Sequence, residues 1–152
     1  MTEPHRPPPP PHPASASLRP ALGLMAGLGI TVLIVFAGVT ISTLAALRGQ
    51  DPRHYVAPFW TYPTHLIISA VGAAAGGVAT GRITAERSPF SVFLLALILL
   101  MSALGPVLRH TPPAVGQPSW YPLSLAIVSP LAALAGGLLA RRAEARRRPV
   151  DV

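Results

Sequence analysis

Three histidines, His54, His65 and His110, are the residues whose type best suits ligand chemistry in this chain. Imidazoles gathered on one face could hold a transition metal, and a facing pair could act as axial haem ligands. Their spacing enforces neither arrangement. No His-x-x-x-His pair occurs, Asp51 is the only carboxylate near them, and haem ligands in bundles normally project inward from facing helices. Interfacial hydrogen bonding is the simpler expectation, so no metal and no cofactor is expected, and the three histidines are assigned no ligand.

The remaining chemistries thin out quickly. With no cysteine, thiolate metal sites, Fe–S clusters, covalent haem attachment and thiol nucleophiles drop out together. Proton-coupled transport and intramembrane hydrolysis need ionisable groups at depth. The five acids, Glu3, Asp51, Glu86, Glu144 and Asp151, all fall in tails or connecting segments. Hydroxyls such as Thr31, Ser102 and Ser129 remain, but a nucleophilic serine needs a partner base, and such residues more often bond back to their own helix. No catalytic residue is assigned, and the chain reads as a non-enzyme.

The elements that would have to position any site are apolar. Of 152 residues, 51% are hydrophobic and 11% charged, and the mean hydropathy is +0.50, which nearly excludes a water-soluble fold. Uncharged stretches predict four transmembrane helices, at about 21–47, 64–81, 89–108 and 122–140. The first is too long for the core of a cleaved signal peptide and lacks a basic segment immediately before a short apolar run. The fold class expected is an all-α membrane protein of four helices.

Orientation follows from the basic residues, all twelve of them arginine. With a cytoplasmic N-terminus, nine lie inside (Arg6, Arg19, Arg82, Arg87, Arg141, Arg142, Arg146, Arg147 and Arg148) and three outside (Arg48, Arg53 and Arg109). Both termini are therefore expected in the cytoplasm. Arginine without lysine, beside abundant Ala, Gly and Pro, suggests a GC-rich bacterial genome, hence a bacterial plasma membrane. Residues 1–20 hold eight of the nineteen prolines and read as a disordered or polyproline tail; residues 141–152 read as a basic tail. The net charge of +7 is assigned to topology and lipid headgroups and not to nucleic acid, which needs a folded basic surface.

The halves of the chain echo each other. Arg53-His54 leads through Trp60-Thr61-Tyr62-Pro63 into the second span, and Arg109-His110 leads through Trp120-Tyr121-Pro122 into the fourth. Ala75-Gly76-Gly77 ahead of Arg82 recurs sixty residues later as Ala135-Gly136-Gly137 ahead of Arg142. A duplicated helical hairpin is expected. Because each unit has an even number of spans, the copies share one orientation.

Each repeated element has a structural task. Trp60, Tyr62, Trp120 and Tyr121 suit the outer water boundary, and Arg82 and Arg142 suit the inner one. Small residues at four-residue spacing allow close helix approach in lipid. Gly72 with Gly76 and Gly77 with Gly81 mark the second span, Ala132 with Gly136 and Ala133 with Gly137 the fourth, and Gly23 with Gly27 the first. Spans two and four are expected to form the inner contact, with leucine-rich span three more exposed to lipid; the same stripes could instead join two copies of the chain. Pro130 and the Gly105-Pro106 pair should bend or end their helices.

Gly76-Gly77 with Arg82 and Pro89 behind it, and Trp120-Tyr121-Pro122 leading to Ser129-Pro130 and Gly136-Gly137, resemble the pattern of a widespread group of small uncharacterised four-span bacterial membrane proteins. The resemblance covers about residues 60–142 and implies a four-span fold; it implies no activity, because none is assigned to the group. The function expected is a non-enzymatic structural or accessory component whose partners are the lipid bilayer and either its own copies or a larger membrane protein. The alternative is an oligomeric transporter or channel subunit for an uncharged or weakly polar solute. A pore predicts a continuous polar stripe, and Thr31, Ser69, Thr80 and Ser102 form no evident one.

Overall fold

The computed structural model describes residues 13–48, 57–84, 89–108 and 117–147. They form four α-helices, α1 (Pro13–Ala46), α2 (Thr61–Ile83), α3 (Phe90–Leu108) and α4 (Trp120–Arg147), with no strand among the described residues. Of these, α1 from Leu18 onward, α2 and α4 are long and apolar enough to cross a membrane. At 19 residues α3 is shorter but uncharged throughout, and spans about 28 Å at the usual helical rise. The chain is an all-helical membrane protein.

The local sequence sets the starts of α2 and α4 in the same way. The Thr61 N–H donates to the Pro58 carbonyl at 3.0 Å and the Tyr121 N–H to the Pro118 carbonyl at 3.2 Å, so each helix opens from a turn begun by proline. Pro63 and Pro122 then occupy the third helical position, where a backbone N–H would have had no intrahelical acceptor. At its far end α2 closes on Thr84, whose N–H and hydroxyl both donate to the Thr80 carbonyl, at 3.0 and 2.8 Å.

The most extensive packing in the bundle joins α2 to α4, followed by α1 to α2 and α3 to α4. Helices α1 and α3 meet sparsely, and α1 does not pack on α4. Two hairpins thus stand side by side with their second helices in the middle. Positions sixty apart share burial in the two central helices: Ser69 and Ser129, Ala73 and Ala133, Gly76 and Gly136, Gly77 and Gly137, Thr80 and Ala140. Ala73, Ala133 and Leu95 form the centre of the apolar core, with Leu24, Leu28, Leu99 and Ala132 packed around it.

Several expectations need correction. Helix α1 starts at Pro13, inside the segment read as disordered, because Pro13 suits a helix start and alanine favours helix; residues 1–12 lie outside the described residues. Helix α4 runs on to Arg147, taking in most of the segment read as a basic tail: Ala143 and Ala145 favour helix, and Arg146 and Arg147 in the last turn complement its dipole. Of the two outcomes expected at proline, a bend or an end, the end is excluded: α4 continues past Pro130 and α3 runs two residues beyond Pro106. One lost backbone hydrogen bond is tolerated where the surrounding turns remain paired. Finally, the helix most exposed around the bundle is α1, which presents Leu22, Met25, Leu33, Phe36, Ile41 and Leu44 outward. Helix α3 also exposes Phe93, Leu97 and Met101 but fully buries Val92 and Leu95.

Candidate functional site

The glycine stripes of α2 face two different neighbours. A Cβ on Gly77 would collide with the Ala133 carbonyl oxygen and one on Gly81 with the Gly137 carbonyl oxygen, so this stripe lies against α4. A Cβ on Gly76 would meet the Gly27 carbonyl oxygen and the Thr31 hydroxyl, and one on Gly72 would lie 2.9 Å from Val35 Cγ2, so the other stripe lies against α1. On α4, Gly136 abuts the Ala74 carbonyl oxygen and Gly137 abuts Val92 of α3; Ala133 is fully buried and Ala132 half-buried beside it. The Gly23 and Gly27 pair of α1 meets Thr84 and Thr80. Backbone therefore meets backbone on both faces of α2, as close helix approach in lipid requires.

Side-chain hydrogen bonds tie α1 to α2. The fully buried Thr80 hydroxyl donates to the Gly23 carbonyl across the helix pair at 3.0 Å. Thr80→Val keeps the shape and removes the donor. The expected loss is about 0.6 kcal/mol, and at most about 1.7, of stability in mild detergent, read as a lowered thermal midpoint of the full chain. Near the other end the Ser42 hydroxyl donates to the Val39 carbonyl at 2.9 Å, which leaves its oxygen to accept from His65 Nε2, also at 2.9 Å. That assigns His65 the Nε2–H tautomer and an interhelical packing role. His54 and His110 lie outside the described residues. Among the described residues no three of His, Asp and Glu come together.

The aromatic residues divide by type. Trp60 and Trp120 are exposed at the starts of α2 and α4, 49% and 39%. Tyr62, in the first turn of α2, is buried at 8% and meets Tyr121 edge-on, ring centres 5.3 Å apart, across the α2–α4 seam. The hydrophobic area of the ring favours this placement, and the paired edge-to-face geometry adds to it. Arg82 and Arg142 are exposed at the opposite end, while one guanidinium nitrogen of Arg141, Nη1, is buried with no hydrogen-bond partner among the described residues.

The feature with the clearest capacity for binding is a groove between α1 and α3, floored by α2 and α4. It holds about 540 Å³, within the range of small-molecule sites, and runs along α1 from Leu28 to Thr40. Its walls are chiefly aliphatic, but hydroxyls from all four helices reach it: Thr31, Ser69, Ser102 and Ser129, with Thr40 at one end. No stripe was evident along any single helix because the hydroxyls are assembled from different ones. Thr31 and Ser102 donate to the carbonyls of Gly27 and Ile98, at 2.9 and 2.8 Å. Ser69 and Ser129, each only 8% exposed, have no hydrogen-bond partner among the described residues. The signal that could have singled them out lay in the repeat: they stand sixty residues apart, the same offset as Gly76-Gly77 and Gly136-Gly137. Comparison with protein-family models, curated proteins and solved structures gave no match.

Proposed function

We propose that this chain is a non-enzymatic accessory component of a bacterial plasma membrane, crossing it four times with both termini in the cytoplasm. In this reading it works by packing against its own copies or a larger membrane protein. The observation that carries it is the backbone-to-backbone seam of α2 with α4, Gly77 on Ala133 and Gly81 on Gly137. A seam closed this tightly makes a stiff two-hairpin unit and leaves no room for a conduit between α2 and α4. The aliphatic outer face of α1 is then the surface offered to lipid and to other helices.

A second reading, a carrier of a weakly polar solute, is favoured by the hydroxyls of Thr31, Ser69, Ser102 and Ser129 around one groove. The readings separate in one preparation, the full chain purified in mild detergent and then reconstituted. The accessory reading expects a defined homo-oligomer or one stoichiometric membrane partner, together with solute flux no greater than in empty liposomes. Flux that requires the chain, and falls when the groove is filled by substitution, overturns it.

A further inference from the structure

We infer that the groove between α1 and α3 is a binding site for a neutral lipid-soluble molecule, an extended apolar chain bearing a carbonyl or hydroxyl oxygen that hydrogen-bonds to Ser69 and Ser129. The site holds whether the chain acts as an accessory component or as a carrier, since it rests only on the groove and its two serines.

The dimensions select the occupant. From Leu28 to Thr40 the groove follows α1 for about 18 Å and holds about 540 Å³. A transmembrane helix segment of that length, about 10–12 Å across with its side chains, needs roughly three times that volume and does not fit within it. One extended hydrocarbon or prenyl chain does. Every residue that lines the groove belongs to one of the four apolar helices, so the ligand arrives from the bilayer and not from water.

The serines select the chemistry. A hydroxyl left without a partner among aliphatic groups is costly, and two occur at equivalent positions of the repeat, both lining this groove. Ser69 is eight residues into α2, about 12 Å below the start of that helix. The oxygen that pairs with it must sit at that depth, well inside the hydrocarbon. A charged headgroup cannot follow it there, whereas a neutral carbonyl or hydroxyl can.

The test uses the full chain in lipid nanodiscs and two photoactivatable probes, a long-chain ketone carrying a diazirine and the matching hydrocarbon without the ketone. Saturable labelling by the ketone probe is expected on the groove segments 28–40 and 99–103. Ser69→Ala with Ser129→Ala should weaken its apparent affinity about tenfold while leaving the hydrocarbon probe unchanged, and should not lower the thermal midpoint of the ligand-free protein. Ala103→Phe, which adds bulk to open space without removing a packed group, should abolish groove labelling by both probes. Non-saturable labelling spread over the outward residues of α1 outside the groove, Ile41 and Leu44 among them, and insensitive to Ala103→Phe overturns the proposal, as ordinary annular lipid behaves so. A destabilised serine variant overturns it by making the hydroxyls structural. Crosslinks between copies through Ser102 or Ala103 overturn it in favour of a protein occupant.

Discussion

Gly77→Leu is expected to separate α2 from α4 and to cost the full chain on the order of 3 kcal/mol or more, enough to prevent recovery of a monodisperse protein from mild detergent. The reason lies in what the new side chain meets. Its Cβ alone would fall on the Ala133 carbonyl oxygen, with the carbonyl carbon only 2.9 Å away. That neighbour is backbone in the middle of a helix, so no rotamer change relieves the clash and the whole helix must move. Movement of α4 then opens the next contact, Gly81 on Gly137, and withdraws Gly136 from Ala74.

Gly77→Ala grades the effect at about 1–3 kcal/mol. Gly72→Ala is milder, because the first atom met, Val35 Cγ2, belongs to a side chain that can shift. Gly29→Ala supplies the control: nothing lies within 4 Å of its new methyl, so stability should change by about 0.5 kcal/mol or less. Thermal midpoints of the four variants in one detergent should therefore fall in the order Gly29→Ala, Gly72→Ala, Gly77→Ala, Gly77→Leu. Equal midpoints for Gly29→Ala and Gly77→Ala would show that the seam does not hold the bundle together.

That gradation also marks how far the sequence could be read. The existence of four helices was legible in the uncharged runs, since lipid tolerates no charge at depth and the chain supplies none between 21 and 47 or between 88 and 108. The small-residue stripes were legible too, as a property of each helix by itself. Which neighbour each stripe meets was not. Gly72-Gly76 and Gly77-Gly81 are offset by five residues, so they point in different directions around α2 and require two partners; α1 supplies one through Gly27 and α4 the other through Ala133. The burial of Tyr62 was not legible for a related reason. Its position beside Trp60 suggests the water boundary, but two residues along a helix turn a side chain through more than half a revolution, which carries Tyr62 from the rim into the seam. The groove is a property of the assembled bundle. Its hydroxyls come from four helices, and no window along the chain contains them together.

Single-cysteine labelling is expected to place residue 145 inside the cell and residue 119 outside. The chain has no cysteine of its own, so Ala145→Cys and Ser119→Cys each provide a sole thiol at an exposed position near opposite ends of α4. With a membrane-impermeant maleimide, Ser119→Cys should label fully in intact cells and Ala145→Cys only after permeabilisation. Charge gives the direction. In the proposed orientation nine arginines face the anionic inner leaflet and three do not, and each near the surface is worth about 1 kcal/mol, so the inverted form is disfavoured by several times the thermal energy. Helix geometry strengthens the effect at α4. Its 28 residues measure about 42 Å, longer than the roughly 30 Å hydrocarbon layer, so its last two turns carry Arg141, Arg142, Arg146 and Arg147 into the headgroups. Replacing those four and Arg148 with alanine leaves four arginines against three, and a fraction of Ala145→Cys should then become labelled from outside. Full labelling of Ala145→Cys in intact cells with the arginines in place would invert the protein, and with it the side from which α2 and α4 receive any partner.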